Sequence, residues 1–148
     1  MEPMKLYILD TDHVSLFQRD HPQVVAKIRE TPAGQLAVTV ITVEEQLRGR
    51  LAQIRRASQK SSSPEILIKA FEDLRKGAEY FCYIRVLDFD SAADTHFKGL
   101  LLQKLRIGVQ DLRIAAIALA TNSIIVTRNR QDFEKIPGLT IEDWAQPN

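Results

Sequence analysis

Five carboxylates in this chain stand where carboxylates can do chemistry. Asp10 and Asp12 follow at once on a strand-like apolar run, Leu6-Tyr7-Ile8-Leu9. Glu45 comes just after the β-branched run Leu36 to Ile41, Asp111 opens an apolar helical stretch, and Asp132 follows the run Ile124 to Thr127. In an open α/β sheet, ligands gather just past the carboxyl ends of the strands, so an acid ending a strand is a functional candidate. Asp10 is the strongest of the set. If the fold brings Asp10, Glu45, Asp111 and Asp132 to one rim, four like charges repel unless cations neutralise them. Oxygen ligands of this kind select hard ions such as Mg²⁺ or Mn²⁺. Such a site polarises a phosphodiester and activates a water for in-line attack.

Each acid also has a plainer use. Asp111 reads as a helix cap, Glu45 as the glutamate of a capping box Thr42-x-x-Glu45, and Asp132 as a first-turn acid answering a helix dipole. Asp12 reads as the N-cap of the helix after the first strand, which leaves Asp10 without a capping duty. Capping and metal binding are compatible, since both use a carboxylate near a helix start. Glu45, Gly49 and Ala52 share a helix face, and the two small residues leave room for a ligand or another helix to approach. Arg48, Arg50, Arg55, Arg56 and Lys60 follow with no acid between them. Such a run is ordinarily a solvated face, yet beside an acidic metal site it suits an RNA backbone. His13, His21 and His96 have no metal-ligand spacing and read as surface or partly buried residues. Nothing matches a Ser-His-Asp set or a glycine-rich phosphate loop.

The elements that must position these acids alternate. Strands are expected at Leu6 to Leu9, Leu36 to Ile41, Ile84 to Leu87, Ile124 to Thr127 and Leu139 to Ile141. A short apolar helix starts at His13, and a second carries Val24, Val25 and Ile28. The helix from Val43 onward puts Val43, Leu47, Leu51 and Ile54 on one face. Ser58 to Ser63 is a polar loop, and Ser62-Ser63-Pro64-Glu65 starts the next helix with a Ser cap and Pro at its first position. Ala93, Phe97, Leu101 and Leu105 mark an amphipathic helix, Leu112 onward a helix apolar nearly all round and therefore buried. Trp144 is expected to pack the tail down. This alternation implies an α/β fold with a parallel sheet of about five strands covered on both faces.

A chain of 148 residues is expected to make one domain, residues 1–148, with a proper core. No apolar run reaches the roughly 18 residues of a membrane span, and the N-terminal apolar run is too short for a signal peptide. Cys82 is the only cysteine, which excludes a disulfide framework or multi-cysteine zinc site within one chain and fits a cytoplasmic home. The net charge of +1 does not discriminate among partners.

Four motifs, taken in order, resemble the PIN domain. They are Ile8-Leu9-Asp10-Thr11-Asp12, then Ile41-Thr42-Val43-Glu44-Glu45 with Gly49, then Asp111-Leu112-Arg113-Ile114-Ala115-Ala116, and last Thr127-Arg128-Asn129-Arg130-Gln131-Asp132-Phe133. More narrowly, the chain is similar to VapC-type toxins of bacterial type II toxin–antitoxin pairs. The resemblance covers nearly the whole chain, through Pro137-Gly138-Leu139 and Glu142-Asp143-Trp144. It implies a three-layer α/β/α sandwich and a Mg²⁺- or Mn²⁺-dependent endoribonuclease, held in check by a cognate antitoxin and homodimeric. The catalytic and metal-binding acids it implies are Asp10, Glu45, Asp111 and Asp132, with Asp12, Thr127 and Asn129 in support. Spacing from Thr42 and to Gly49 favours Glu45 over Glu44. Asp12 stands where the family commonly has Asn, and Asn129 is a rival to Asp132 for the fourth place. Val14, Leu16 and Phe17, with the Arg48 to Arg56 strip, are candidate antitoxin contacts. Two alternatives follow from the same residues. One is a haloacid-dehalogenase-like phosphatase with Asp10 as nucleophile and Asp12 as acid/base, though Lys135 is the only lysine after Lys104. The other is a PIN-like protein that binds RNA or a partner without cutting.

Overall fold

The computed structural model describes residues 4–59 and 63–147. Residues 60–62 of the expected loop Ser58 to Ser63, Lys60 among them, lie outside the described residues, as does the start of the N-terminal segment. The chain runs β1 (Tyr7–Leu9), α1 (Thr11–Gln18), α2 (Pro22–Glu30), a 3-10 turn (Ala33–Gln35), β2 (Leu36–Thr39), α3 (Val40–Ala57) and α4 (Pro64–Tyr80). It continues through β3 (Arg85–Leu87), α5 (Ser91–Leu102), α6 (Val109–Thr121), β4 (Ile124–Val126), α7 (Arg130–Phe133) and β5 (Thr140–Glu142).

The five strands form one sheet in the order β3-β2-β1-β4-β5, with every neighbouring pair parallel. Alternate residues of each strand point to opposite faces, and both faces are covered. Ile8, Ala37 and Ile125 pack with Phe97 and Leu100 of α5 and with Leu112, Ala115 and Ala116 of α6. Leu9, Val38 and Val126 pack on the other side with Val14 of α1, Ile28 of α2, Trp144 and Tyr80. This is the expected α/β/α sandwich. The chain leaves β1 toward β2 and β3 on one side and returns to β4 and β5 on the other. The crevice between the carboxyl ends of β1 and β4 is therefore the switch point at which open sheets bind ligands.

Several local expectations shift. Strand β2 ends at Thr39, and α3 begins at Val40 instead of Val43. Its cap is Thr39, whose Oγ1 accepts the Thr42 N–H at 3.3 Å, and the capping box on Thr42 does not form. The β-branched run through Ile41 reads as strand, but Val40 and Ile41 turn inward against the α6 side of the core, and burial overrides propensity. Helix α6 starts at Val109 with Gly108 as its cap, so Asp111 is a first-turn residue and not the cap. Its run Ile114 to Ala118 is buried as expected. Pro64 opens α4, but the Ser63 side chain makes no capping bond. On α5 the buried face is Ala93, Phe97 and Leu100, whereas Leu101 is 47% exposed. The helix ends at Leu102, so Leu105 reaches the core from beyond a turn at Lys104 with positive φ. Pro137-Gly138 turns the chain, with Gly138 at φ +79°, a conformation that suits glycine.

The interior position of β4, paired on both sides, sets a stability test. Ile125→Ala is expected to cost about 2–5 kcal/mol. Ile66→Ala on α4, where the side chain is 55% exposed, should cost less than about 0.5 kcal/mol. Urea denaturation of both variants checks the pair.

Candidate metal centre

Asp10 leaves β1 with an extended backbone and caps α1 itself. Its Oδ1 accepts the His13 backbone N–H at 2.8 Å and lies 3.2 Å from His13 Nδ1. The division of labour expected of Asp10 and Asp12 is thus reversed. Asp10 sits at the strand-to-helix junction, where the orphan amides of the first turn point. Asp12, in the first turn of α1, faces across to Arg128, which donates from Nε and a terminal nitrogen at 2.7 and 2.8 Å. That guanidinium holds the Asp12 carboxyl below its usual range. An Asp12 so held is not a free acid/base, which removes the basis of a phosphatase reading.

His13 is wholly buried, against the expectation of a surface or partly buried histidine. Val14 and Leu16 are buried as well and cannot offer the apolar docking surface expected of them. The α1 segment turns its apolar side onto the sheet, because Asp10 starts the helix directly at the strand end.

Glu45 projects from the second turn of α3 and accepts the Thr11 hydroxyl at 2.9 Å. Thr11 Oγ1 also lies 3.0 Å from Thr42 Oγ1, which ties α1 to α3 beside Asp10. Glu44 points away, exposed, to Arg48 and Gln110. Asn129 caps α7. Its Oδ1 accepts the Asp132 N–H at 3.4 Å, and its Nδ2 donates to Asp132 Oδ2 at 3.0 Å. Both ends of the Asn129 amide thus act on Asp132, while buried Thr127 Oγ1 accepts the Asn129 N–H at 2.9 Å and shapes the turn. Lys135 reaches Asp132 Oδ1 at 3.4 Å.

Asp111 is where these acids meet electrostatically. Burial, followed by the charges of Glu45, Asp10 and Asp132, pushes its carboxyl up to about 6. Among the described residues no donor hydrogen-bonds to it. A half-buried carboxylate that feels three others and finds no donor is what a hard cation satisfies. The tightest ligand cluster among the described residues is a different one, Asp10 with Asp12 and His13, whose atoms lie within 4.8 Å of one another. Its members are already committed, Asp12 to Arg128 and both His13 nitrogens to hydrogen bonds. The wider set of Asp10, Glu45, Asp111 and Asp132 is linked instead through the charges felt at Asp111.

Glu45 also borders a groove of about 540 Å³ lined by Arg19, Gly49, Arg50, Arg56 and Lys69, among others. A Cβ at Gly49 would meet nothing within 4 Å, so the small residue keeps the groove open and does not serve packing. Arg50 and Arg56 fall on this groove, whereas Arg48 and Arg55 are exposed and not among its lining residues. Arg50 is held by Gln18 and Gln53. Arg19 and Lys69 come from α1 and α4, and no local sequence signal marks them. For His13 a signal existed, since a residue three past a strand-end acid meets that acid's carboxylate when it caps.

Residues 7–139 match the family model of the PIN domain. The chain is 29% identical over 146 residues to the tRNA(fMet)-specific endonuclease VapC of Shigella flexneri, covering 96% of this chain and 100% of that protein. It is 28% identical over 146 residues to ribonuclease VapC2 of Haemophilus influenzae, with 96% and 100% covered. Among solved structures, DNA-bound VapBC from Salmonella typhimurium shares the fold with a TM-score of 0.74 at 23% identity, covering 95% of this chain and 99% of that one.

The Asp111 environment gives a signed pH effect. Its carboxyl is raised from 3.8 to about 6, so between these values the native state holds a proton that the unfolded state releases. The contribution of this group to stability therefore falls as pH rises from about 4 to about 6 and stays low above. In EDTA at pH 7, Asp111→Asn should raise the melting temperature by roughly 2–4 °C, a figure discounted for solvent screening. The gain should vanish near pH 4. A lower melting temperature at pH 7 would show that the carboxylate is a structural acceptor.

Proposed function

This chain belongs to the PIN domain family, and from that premise we propose that it is a divalent-metal-dependent endoribonuclease, the toxin of a VapBC-like type II pair. The observation that carries the reading is the match of residues 7–139 to the PIN domain model, and the charges of Glu45, Asp10 and Asp132 felt at Asp111 fit it. Two near-full-length relatives named as an endonuclease and a ribonuclease support the activity. A neutralising antitoxin protein is an expected partner, supported by the VapBC complex whose fold the chain shares, and a second copy of the chain is the other. No helix among the described residues is long and apolar enough to cross a membrane, and the exposed Cys82 thiol suits a reducing cytoplasm.

The donor set fits Mg²⁺ or Mn²⁺, since all four candidates are carboxylates. When bound, such an ion polarises the phosphodiester and makes water a competent nucleophile near neutral pH. Asp10 and Asp111 form the centre. Asp10 is aimed by the His13 amide, and Asp111 is fixed on the rigid, buried α6. Glu45, steadied by Thr11, and Asp132, steadied by Asn129, flank them and orient the attacking water. Arg19, Arg50 and Arg56 line the groove leading to Glu45 and hold the phosphates of a single strand. Water adds to phosphorus as the bond to the 3′ oxygen breaks, leaving a 5′-phosphate and a 3′-hydroxyl. The reading needs no covalent enzyme intermediate.

An RNA cleavage assay on antitoxin-free protein tests this. EDTA should abolish cleavage and Mn²⁺ restore it, and Asp10→Asn should lower kcat/KM by about 100-fold or more. Equal activity of wild type and Asp10→Asn, or products ending in a 2′,3′-cyclic phosphate, would overturn the mechanism. Arg19→Ala should weaken RNA binding and reduce the slope of log affinity against log salt by about 0.7. An unchanged slope would place the RNA elsewhere.

A further inference from the structure

His13 is the one wholly buried histidine among the described residues, and it joins the strand-end acid to the C-terminal tail. Its Nδ1 lies 3.2 Å from Asp10 Oδ1, and its Nε2 accepts the backbone N–H of Trp144 at 3.3 Å. An Nε2 that accepts carries no proton, so the network assigns the ring proton to Nδ1, where it is donated to Asp10. Asp143 Oδ1, 3.7 Å from Nε2, is beyond hydrogen-bond distance and accepts the Ala145 N–H at 2.9 Å instead. Trp144 is in turn fixed by packing on Tyr7, with ring centroids 5.3 Å apart, and by its indole N–H donating to Glu142 at 3.0 Å. Asp10 Oδ1 thereby receives two N–H groups, and among the described residues no donor reaches Oδ2.

We propose that His13 is a positioning residue: held as the Nδ1–H tautomer by the Trp144 amide, it fixes the Asp10 carboxylate so that Oδ2 faces the metal. The proposal rests on the metal-nuclease reading above and adds to it that the tail from β5 onward is part of the support of the site. An outer group that orients a ligand commonly changes metal affinity by about 10–100-fold.

The test measures Mn²⁺ binding by calorimetry on antitoxin-free protein for wild type, Asp10→Asn, His13→Leu and His13→Asn. The Asn amide can place a donor near the position of Nδ1, whereas Leu supplies none. His13→Leu should weaken Mn²⁺ binding by about 10-fold or more, and His13→Asn should recover most of the loss. Wild-type affinity in His13→Leu, or equal losses in both His13 variants, would overturn the proposal while Asp10→Asn still loses binding. No Mn²⁺ binding by wild type would instead overturn the metal reading. Should the variants fail to fold, long-range ¹H–¹⁵N spectra of the wild-type imidazole decide: a protonated Nδ1 with a bare Nε2 supports the proposal, and the opposite tautomer overturns it.

Discussion

Mutual repulsion of carboxylates gathered on one rim is the constraint around which this molecule is built. A parallel sheet sends the carboxyl ends of all its strands to one edge, and here those ends are followed by Asp10, by Glu45 within α3, and by Asp132 within α7. Helix α6 brings Asp111 into the same field. Such an arrangement disfavours folding in the absence of a counter-ion. The surrounding structure offsets it with a deeply buried two-faced sheet and with a separate neutral donor for three of the acids. His13, Thr11 and Asn129 serve Asp10, Glu45 and Asp132 respectively. Asp111 alone has no such donor among the described residues, and its carboxyl is the one displaced upward.

Much of this was legible in the residues. The alternation of apolar runs and amphipathic stretches gave the sheet, its parallel sense and the buried α6, because these depend on hydrophobic period and chain order. The places of Asp10, Glu45 and Asp132 just past strands were legible from the apolar runs that precede them, and that of Asp111 from the apolar helix it opens. Capping was less legible. Thr39 and Thr42 are both plausible caps, and the choice between them depends on whether Val40 and Ile41 continue the strand or turn into the core, which tertiary packing decides. The reversal of Asp10 and Asp12 has the same origin, for α1 starts without any linker after β1.

The groove was legible only in part. A run of arginines on α3 shows charge but not direction, and half of those residues face away from Glu45. Arg19 and Lys69 reach the groove because α1 and α4 flank α3, a juxtaposition with no local signature. Gly49 illustrates the same limit: smallness beside an acid fits either close packing or open space, and here it is open space.

The pair formed by Asp12 and Arg128 has a consequence for how the chain can vary. These residues are 116 positions apart and meet through two hydrogen bonds. Asp12 therefore comes with its own counter-charge, and the pair adds no net charge at the crevice. The two sites behave as one electroneutral module, so replacing either alone changes the charge seen by an incoming polyanion, whereas exchanging both for neutral residues preserves it.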